Sequence, residues 1–173
     1  MYKIGSINSS LIGEFKNLNY KRKYFNDPIT VKKWKNIGHL YEKYTGELID
    51  QTNSIPNWCN IIANTFDFKN PTATLYCMTP GTILPNHKDI YLKYKQIFNL
   101  EEKFSNIFRV IIFLENWKSG HYFEIDENPI INWSKGDYVL WEYDAEHIAA
   151  NIGSENRYTL QITGIKTHNY YNV

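Results

Sequence analysis

From about residue 71, the chain consists largely of short segments rich in β-branched and aromatic residues. These segments span residues 72–78, 106–115, 121–125, 129–132, 137–143, 147–151 and 157–165. Turn-forming residues separate them, as in NWKSG, DENP, SKGD and GSEN. Many short strands at this spacing are typical of an antiparallel sandwich or barrel. Only residues 89–104 interrupt the series, with a segment that is helix-like or looped.

The part before about residue 67 is predicted to be helical or irregular. Residues 27–46 combine an Asp-Pro start and a closing Gly46 with apolar residues on one helix face, namely Val31, Trp34, Ile37, Leu40 and Tyr41. Residues 54–66 predict a second helix, with Ser54 as a possible cap and Pro56 near the first turn. The sequence therefore predicts a single domain over 1–173, with a helical part at 1–67 and a β-barrel core at 71–165.

Length and charge limit the classes of function. A chain of 173 residues is typical of one domain. Its 19 basic and 18 acidic residues give a net charge of +1, which argues against nucleic acid as a partner. Two cysteines are too few for a disulfide framework or a cysteine-based zinc site. No apolar run approaches the length of a membrane span, so we expect a soluble, cytoplasmic protein of undetermined oligomeric state.

Three residues have the types and spacing of a metal site. His87 and Asp89 are two positions apart, so both side chains point the same way in an extended segment. His147, which follows the predicted strand 137–143, is the candidate for a third ligand. Two histidines and one carboxylate suit non-haem Fe(II) and leave coordination positions open for substrates.

A possible carboxylate-binding pair follows the third ligand. Arg157 and Thr159 share a face of the last predicted strand, ten and twelve residues after His147. A guanidinium binds a carboxylate with two parallel hydrogen bonds, and a hydroxyl beside it adds another donor. The sequence thus predicts a metal triad together with a site for a carboxylate.

The pattern H-x-D … H-x₉-R-x-T over a late series of strands resembles the Fe(II)/2-oxoglutarate-dependent dioxygenase superfamily. Its members fold as a double-stranded β-helix, a cupin-like jelly-roll barrel with helices on one side, and the resemblance covers about residues 71–165. It implies that His87, Asp89 and His147 are the catalytic iron ligands and that O₂ is consumed. It also implies that Arg157 binds the distal carboxylate of 2-oxoglutarate, with Thr159 as its partner.

Two branches of this superfamily point to further residues. The stretch GDYVLWEYDAEHIAAN is similar to the segment before the distal histidine in prolyl hydroxylase-like and phage-encoded members, and by analogy with prolyl hydroxylases Tyr76 is a candidate donor to 2-oxoglutarate. The stretch FRVIIFLEN resembles the aspartyl/asparaginyl β-hydroxylase-like branch, in which an arginine on this strand helps to hold 2-oxoglutarate. Arg109 matches that arginine. The chain departs from the branch at Ile111, where a histidine is usual, and at Asp89, which the branch often lacks.

The residues themselves leave the partner of Arg109 open. An arginine inside an apolar strand needs a partner, and this is either the carboxylate of a ligand or an internal Asp or Glu.

The function that the resemblance implies is hydroxylation of a C–H bond in a peptidyl or free amino-acid side chain, with Fe(II), 2-oxoglutarate and O₂. Two alternatives remain at the level of the sequence. One is a cupin-type metalloenzyme that does not use 2-oxoglutarate and has no need of Arg157. The other is a non-catalytic jelly-roll binding module, in which the two histidines and the aspartate are incidental.

Overall fold

A computed structural model describes residues 2–24, 27–39, 46–50, 54–101 and 104–166. Its strands are β1 (Tyr2–Ser6), β2 (Lys21–Lys23), β3 (Gly46–Asp50), β4 (Phe68–Met78), β5 (Thr82–His87), β6 (Ile107–Phe113), β7 (His121–Ile125), β8 (Asn128–Ile130), β9 (Asp137–Glu142), β10 (His147–Asn151) and β11 (Arg157–Lys166). The α-helices are α1 (Pro28–Asn36), α2 (Asn57–Ala63) and α3 (Leu92–Ile97). Short 3₁₀ turns cover Ser9–Leu11 and Asn64–Phe66.

The strands form two antiparallel sheets. The larger sheet has the order β1-β9-β6-β11-β4-β3-β2, and the smaller has the order β5-β10-β7-β8. Apolar residues from both sheets make one core cluster, which includes Met78, Phe113, Phe123, Ile125 and Ala149. The architecture is mainly β and matches the predicted double-stranded β-helix, so the fold class is confirmed.

Strand β11 separates two layers because its side chains alternate between the faces of the larger sheet. Tyr158, Leu160 and Ile162 belong to the core cluster that also contains residues of α2. Arg157, Thr159 and Gln161 lie on the opposite face and line a cavity. One strand thus contributes apolar residues to the outer core and polar residues to the interior of the barrel.

The N-terminal part differs from the helical prediction because it also contains strands. Strand β1 pairs with β9, and β3 pairs with β4, so both extend the larger sheet. Their sequences, YKIGS and GELID, are short and carry Gly and charged residues, which gives a weak local signal. Pairing with distant strands decides their conformation, as is common for β-structure.

Helix α1 is shorter than predicted because it ends before Gly38. Asn36 is its last residue, and Gly38 follows with φ +87°. The His39 N–H donates to the Trp34 carbonyl over 3.0 Å, and the Gly38 N–H donates to the Lys35 carbonyl over 3.1 Å. These two bonds form a Schellman motif, which glycine favours because it adopts positive φ without strain.

Gly46 does not end the helix but begins β3. Its φ is +135°, and a Cβ built there would lie 2.6 Å from ring atoms of Tyr76. A glycine at this position therefore leaves room for the Tyr76 ring. The predicted helical residues Leu40 and Tyr41 fall outside the described part of the chain.

Helix α2 lies within the predicted segment 54–66, but Ser54 does not cap it. Pro56 occupies the N-cap position, without a side-chain hydrogen bond, and Ser54 has φ +57°. Helix α3 lies in the segment that interrupts the predicted strands. None of the described helices combines the length and the apolar character that crossing a bilayer requires.

Candidate active site

Two strands of the smaller sheet bring the predicted metal ligands together. His87 is the last residue of β5 and His147 the first of β10, and the two are register partners in the antiparallel ladder. Asp89 lies two residues beyond the end of β5. One ligand atom from each residue lies within 4.8 Å of the other two, so the group can hold one metal ion.

Backbone carbonyls fix the orientation of both imidazoles. His87 Nδ1 lies 2.7 Å from the Pro85 carbonyl oxygen, and His147 Nδ1 lies 3.2 Å from that of Ala145. A carbonyl oxygen only accepts, so each Nδ1 must carry the hydrogen. The lone pair of the neutral ring is then on Nε2. This is the arrangement in which a histidine binds a metal through Nε2 while its other nitrogen is held in place.

The charge states of the group also suit a cation. Burial and the neighbouring His87 lower the pKa of His147 to about 4, so its imidazole is neutral at physiological pH. Burial disfavours the Asp89 carboxylate, but the Arg109 guanidinium and the two histidines outweigh it and hold the pKa of Asp89 below its usual value. Neutral imidazole and ionised carboxylate are the forms that ligate metals.

Arg109 has an internal partner. Its Nη2 lies 3.2 Å from Asp89 Oδ2, and its Nη1 donates to Gln161 Oε1 over 2.7 Å. The guanidinium also lies 5.0 Å from the centre of the Tyr91 ring. Of the two partners that the sequence left open for Arg109, the structure provides an internal aspartate.

Arg157 has a different environment. It is 3% exposed, its Nη1 lies 3.3 Å from Met78 Sδ, and three aromatic rings surround the guanidinium at 5.6–5.9 Å, namely Phe113, Phe123 and Trp133. Its Nε has no hydrogen-bond partner, and no acidic side chain pairs with it among the described residues. Burial lowers the pKa of Arg157 to about 10, which leaves it charged at neutral pH.

Thr159 adds a second polar group without a partner beside Arg157. It is 1% exposed, and its Oγ1 makes no hydrogen bond to any described residue. Its register partner on β4 is Tyr76. Buried polar groups in native proteins nearly always have partners, so the Arg157 Nε–H and the Thr159 hydroxyl, which have none among the described residues, indicate a site for a bound acceptor.

One cavity of about 330 Å³ connects these groups. Every residue that the sequence singled out lines it: Tyr76, His87, Asp89, Arg109, His147, Arg157 and Thr159. Its exposed members are Lys23, Tyr24 and Lys93, which lie on or beside β2 and α3. The His87–Asp89–His147 group and the Arg157–Thr159 pair therefore line one cavity.

The sequence did not single out two polar side chains of this cavity, Gln161 and Trp141. Gln161, the amide partner of Arg109, continues the alternation of Arg157 and Thr159 along β11, so its position was available from the strand pattern. Trp141 lines the same cavity from β9, and its ring centre lies 5.1 Å from that of His147. Its apolar character made it resemble an ordinary core residue.

The sequence model of the aspartyl/asparaginyl β-hydroxylase family matches residues 7–166. This match covers nearly the whole chain. The chain belongs to the aspartyl/asparaginyl β-hydroxylase family. The predicted resemblance to 2-oxoglutarate-dependent dioxygenases is thereby confirmed at the level of the superfamily, and the family points to a hydroxylase-type function.

The fold of this hydroxylase-family chain is similar to that of solved proteins. A prolyl-4-hydroxylase from Pseudomonas putida matches it with a TM-score of 0.59, 9% sequence identity, and coverage of 96% of this chain and 93% of that one. A protein from Photorhabdus luminescens matches with a TM-score of 0.45 and 13% identity over 72% of this chain and 78% of that one. A predicted oxalate decarboxylase from Thermotoga maritima has a TM-score of 0.43 and 13% identity over 69% and 79%. No curated protein sequence matches this member of the family significantly.

Proposed function

We propose that this chain is an Fe(II)- and 2-oxoglutarate-dependent dioxygenase that hydroxylates a C–H bond. The observation that carries the proposal is one cavity that contains both a His-Asp-His group and a buried arginine without an acidic partner. The bound iron, with 2-oxoglutarate and O₂, would supply the oxidation of the C–H bond, with succinate and CO₂ as co-products.

The donor set fits iron. His87 and His147 offer Nε2 atoms whose orientation the backbone fixes, and Asp89 offers a carboxylate that is ionised at neutral pH. Two imidazoles and one carboxylate are typical of non-haem Fe(II) oxygenases. In this role the three side chains hold the metal, and the rest of the cavity is available for cosubstrate and substrate.

Arg109 acts on the metal through Asp89 in this proposal. The guanidinium holds one carboxylate oxygen at 3.2 Å, and Gln161 holds the guanidinium. Partners of this kind fix the orientation of a metal ligand and typically affect metal affinity by ten- to a hundredfold. The expected direct contact of Arg109 with 2-oxoglutarate stays a prediction.

Arg157 and Thr159 would bind the distal carboxylate of 2-oxoglutarate. The guanidinium donates two parallel hydrogen bonds to a carboxylate, and the hydroxyl donates a third. Tyr76, the register partner of Thr159, lies beside them and is proposed as a further contact. Because both Arg157 and Thr159 are almost fully buried, water competes weakly for this carboxylate.

The substrate that we propose is a peptidyl or free amino-acid side chain. The family to which the chain belongs supports this class. The cavity opens beside Lys23, Tyr24 and Lys93, and Asp50, which pairs with Lys93 over 3.1 Å, also lines it. These groups offer hydrogen bonds and stacking to an extended polar substrate.

Thermal unfolding tests the proposal directly. Mn(II) is added first and 2-oxoglutarate second, both at about a hundredfold their dissociation constants. Each addition should stabilise the protein by about 2.7 kcal/mol and raise Tm by roughly 5–10 °C. If the protein did not use 2-oxoglutarate, only the addition of Mn(II) would raise Tm. An absence of both steps would contradict the metal site itself.

Turnover gives the second test. The Fe(II)-loaded protein should convert 2-oxoglutarate to succinate, and His87→Ala should reduce this conversion to the background rate because one of the metal ligands is lost. Equal consumption by His87→Ala and the wild type would rule out the assigned metal centre.

A further inference from the structure

Trp141 is a buried tryptophan without a hydrogen-bond partner. It is 1% exposed, and its Nε1 contacts no acceptor among the described residues. An indole N–H is only a donor, so burying it unpaired costs free energy that a core phenylalanine would not cost. Such a group in a native structure calls for a specific explanation, for example a bound ligand.

Three other tryptophans of the chain form hydrogen bonds through their indole N–H groups. The indole N–H groups of Trp34, Trp58 and Trp117 donate to backbone carbonyl oxygens, with distances of 3.2, 3.3 and 2.8 Å. The contrast shows that this fold readily provides carbonyl acceptors for its indoles. Trp141 differs from them in lying on the wall of the active-site cavity.

The position of Trp141 places it near the metal group. Its ring centre is 5.1 Å from that of His147, and its register partner on β6 is Arg109. The Arg109 guanidinium already contacts Asp89 and Gln161. Trp141 therefore offers a donor in this part of the cavity that no described protein group uses.

We infer that Trp141 is a cosubstrate-binding residue whose Nε1–H donates to 2-oxoglutarate at the end that lies toward the metal. The inference rests on the proposed function, because a dicarboxylate held by Arg157 and Thr159 at one end extends toward His147 at the other. A donor at each end fixes the orientation of the cosubstrate. The oxygen atom of 2-oxoglutarate that accepts this hydrogen bond also removes the free-energy cost of the unpaired indole N–H.

Calorimetric titration of 2-oxoglutarate into the Mn(II)-loaded protein tests this role. Trp141→Phe keeps an aromatic ring but removes the donor, and we expect the Kd for 2-oxoglutarate to rise by about ten- to a hundredfold, as for the loss of a hydrogen bond to a charged acceptor. The Kd for Mn(II) alone should not change. Trp117→Phe is the matched control, since it removes an indole N–H that has a protein acceptor outside the cavity, and it should leave both constants unchanged.

The possible outcomes separate this inference from the proposed function. If the wild type binds 2-oxoglutarate and Trp141→Phe binds it equally well, the role of Trp141 is wrong while the function stands. An equal loss in Trp117→Phe would also overturn the role, because the effect would then follow from removing any buried indole N–H. If the wild type does not bind 2-oxoglutarate with Mn(II), the proposed function fails and this inference fails with it.

A spectroscopic readout does not depend on the folding of Trp141→Phe. In the wild type loaded with Zn(II), one of the five tryptophan indole N–H resonances should move downfield when 2-oxoglutarate is added. Substituting the other four tryptophans one at a time assigns that resonance by elimination. A Trp141 resonance that stays in place while 2-oxoglutarate binds would overturn the inference.

Discussion

Arg109 and Arg157 are both largely buried arginines that line the same cavity, yet their surroundings differ. Arg109 contacts the Asp89 carboxylate and the Gln161 amide. Arg157 has a thioether and three aromatic rings around it, and no acidic partner among the described residues. The first guanidinium is neutralised within the fold. The second retains an unused charge in a position from which water is largely excluded.

This difference assigns separate tasks to the two residues. A buried ion pair has a structural role, because removing one partner leaves the other charge uncompensated and destabilises the fold. A buried cation without a counter-charge costs free energy in the ligand-free protein, and a bound anion recovers that cost. Under the proposed function, Arg109 supports the metal ligand Asp89 and Arg157 binds the anionic cosubstrate.

The largest effect on folding should come from Arg109→Met. This change leaves the largely buried Asp89 carboxylate without its guanidinium partner and with only the neutral His147 ring at 3.9 Å, so it should lower the free energy of unfolding by about 3 kcal/mol. Urea denaturation of the metal-free protein measures the change. Adding Asp89→Leu to the same protein should restore most of the loss. A single variant as stable as the wild type would show that the ion pair has no structural role.

The contrasting change is Arg157→Met. Metal-free stability should stay within about 1 kcal/mol of the wild type, because the lost contacts with aromatic rings are offset by removal of a buried unpaired charge. The affinity for 2-oxoglutarate should fall by more than about a hundredfold, as for a bidentate charged contact. Urea denaturation measures the stability, and titration calorimetry measures the affinity for 2-oxoglutarate. Destabilisation as large as that of Arg109→Met would remove the distinction between the arginines.

Thr159→Val should also weaken 2-oxoglutarate binding without destabilising the fold, with smaller effects than Arg157→Met. Valine keeps the shape of threonine but removes a hydroxyl that has no described partner, so the metal-free protein should become slightly more stable, by up to about 1 kcal/mol. The Kd for 2-oxoglutarate should rise by about tenfold. If the variant binds 2-oxoglutarate as tightly as the wild type, Thr159 does not contact the carboxylate.

The smallest predicted effect concerns pH. A carboxylate with a depressed pKa stabilises the fold above its unfolded-state pKa of about 4, and the contribution disappears as the pH falls through the folded-state value. For Asp89, Arg109 is the largest influence that lowers the pKa. In Arg109→Met the pKa of Asp89 rises because burial is no longer offset by the guanidinium, so acid protonates the uncompensated carboxylate and relieves its cost. The Tm difference between the wild type and the variant should therefore narrow as the pH falls from about 7 to about 3. Parallel pH profiles for the two proteins would contradict this coupling.

The barrel strands could be predicted from the sequence because their signal is local. Seven predicted segments correspond to β4 and β6–β11, since β-branched and aromatic runs ended at clear turns. Strand β5 was missed as a strand because TILPNH contains a proline and few apolar residues. Strands β1 and β3 were missed because they are stabilised by pairing with β9 and β4, and these partner strands are distant in sequence.

The candidate site was predictable for a different reason. Its residues follow fixed short spacings, H-x-D and R-x-T, on extended segments whose side chains alternate. Gln161 continues the alternation of Arg157 and Thr159 but belongs to no recognised motif, and Trp141 could not be told from the other strand aromatics, which are mostly core residues. The pairing of Arg109 with Asp89 needed the structure, because it joins β6 to the segment after β5 across the barrel.

Under the proposed function, one cavity binds a metal at His87, Asp89 and His147 and a carboxylate at Arg157. A crystal structure of the protein with Mn(II) and 2-oxoglutarate tests it most directly. We expect Mn(II) on the two Nε2 atoms and the Asp89 carboxylate, and the distal carboxylate of 2-oxoglutarate on Arg157 and Thr159. Metal bound away from the three ligands, or 2-oxoglutarate bound without contact to Arg157, would contradict the account.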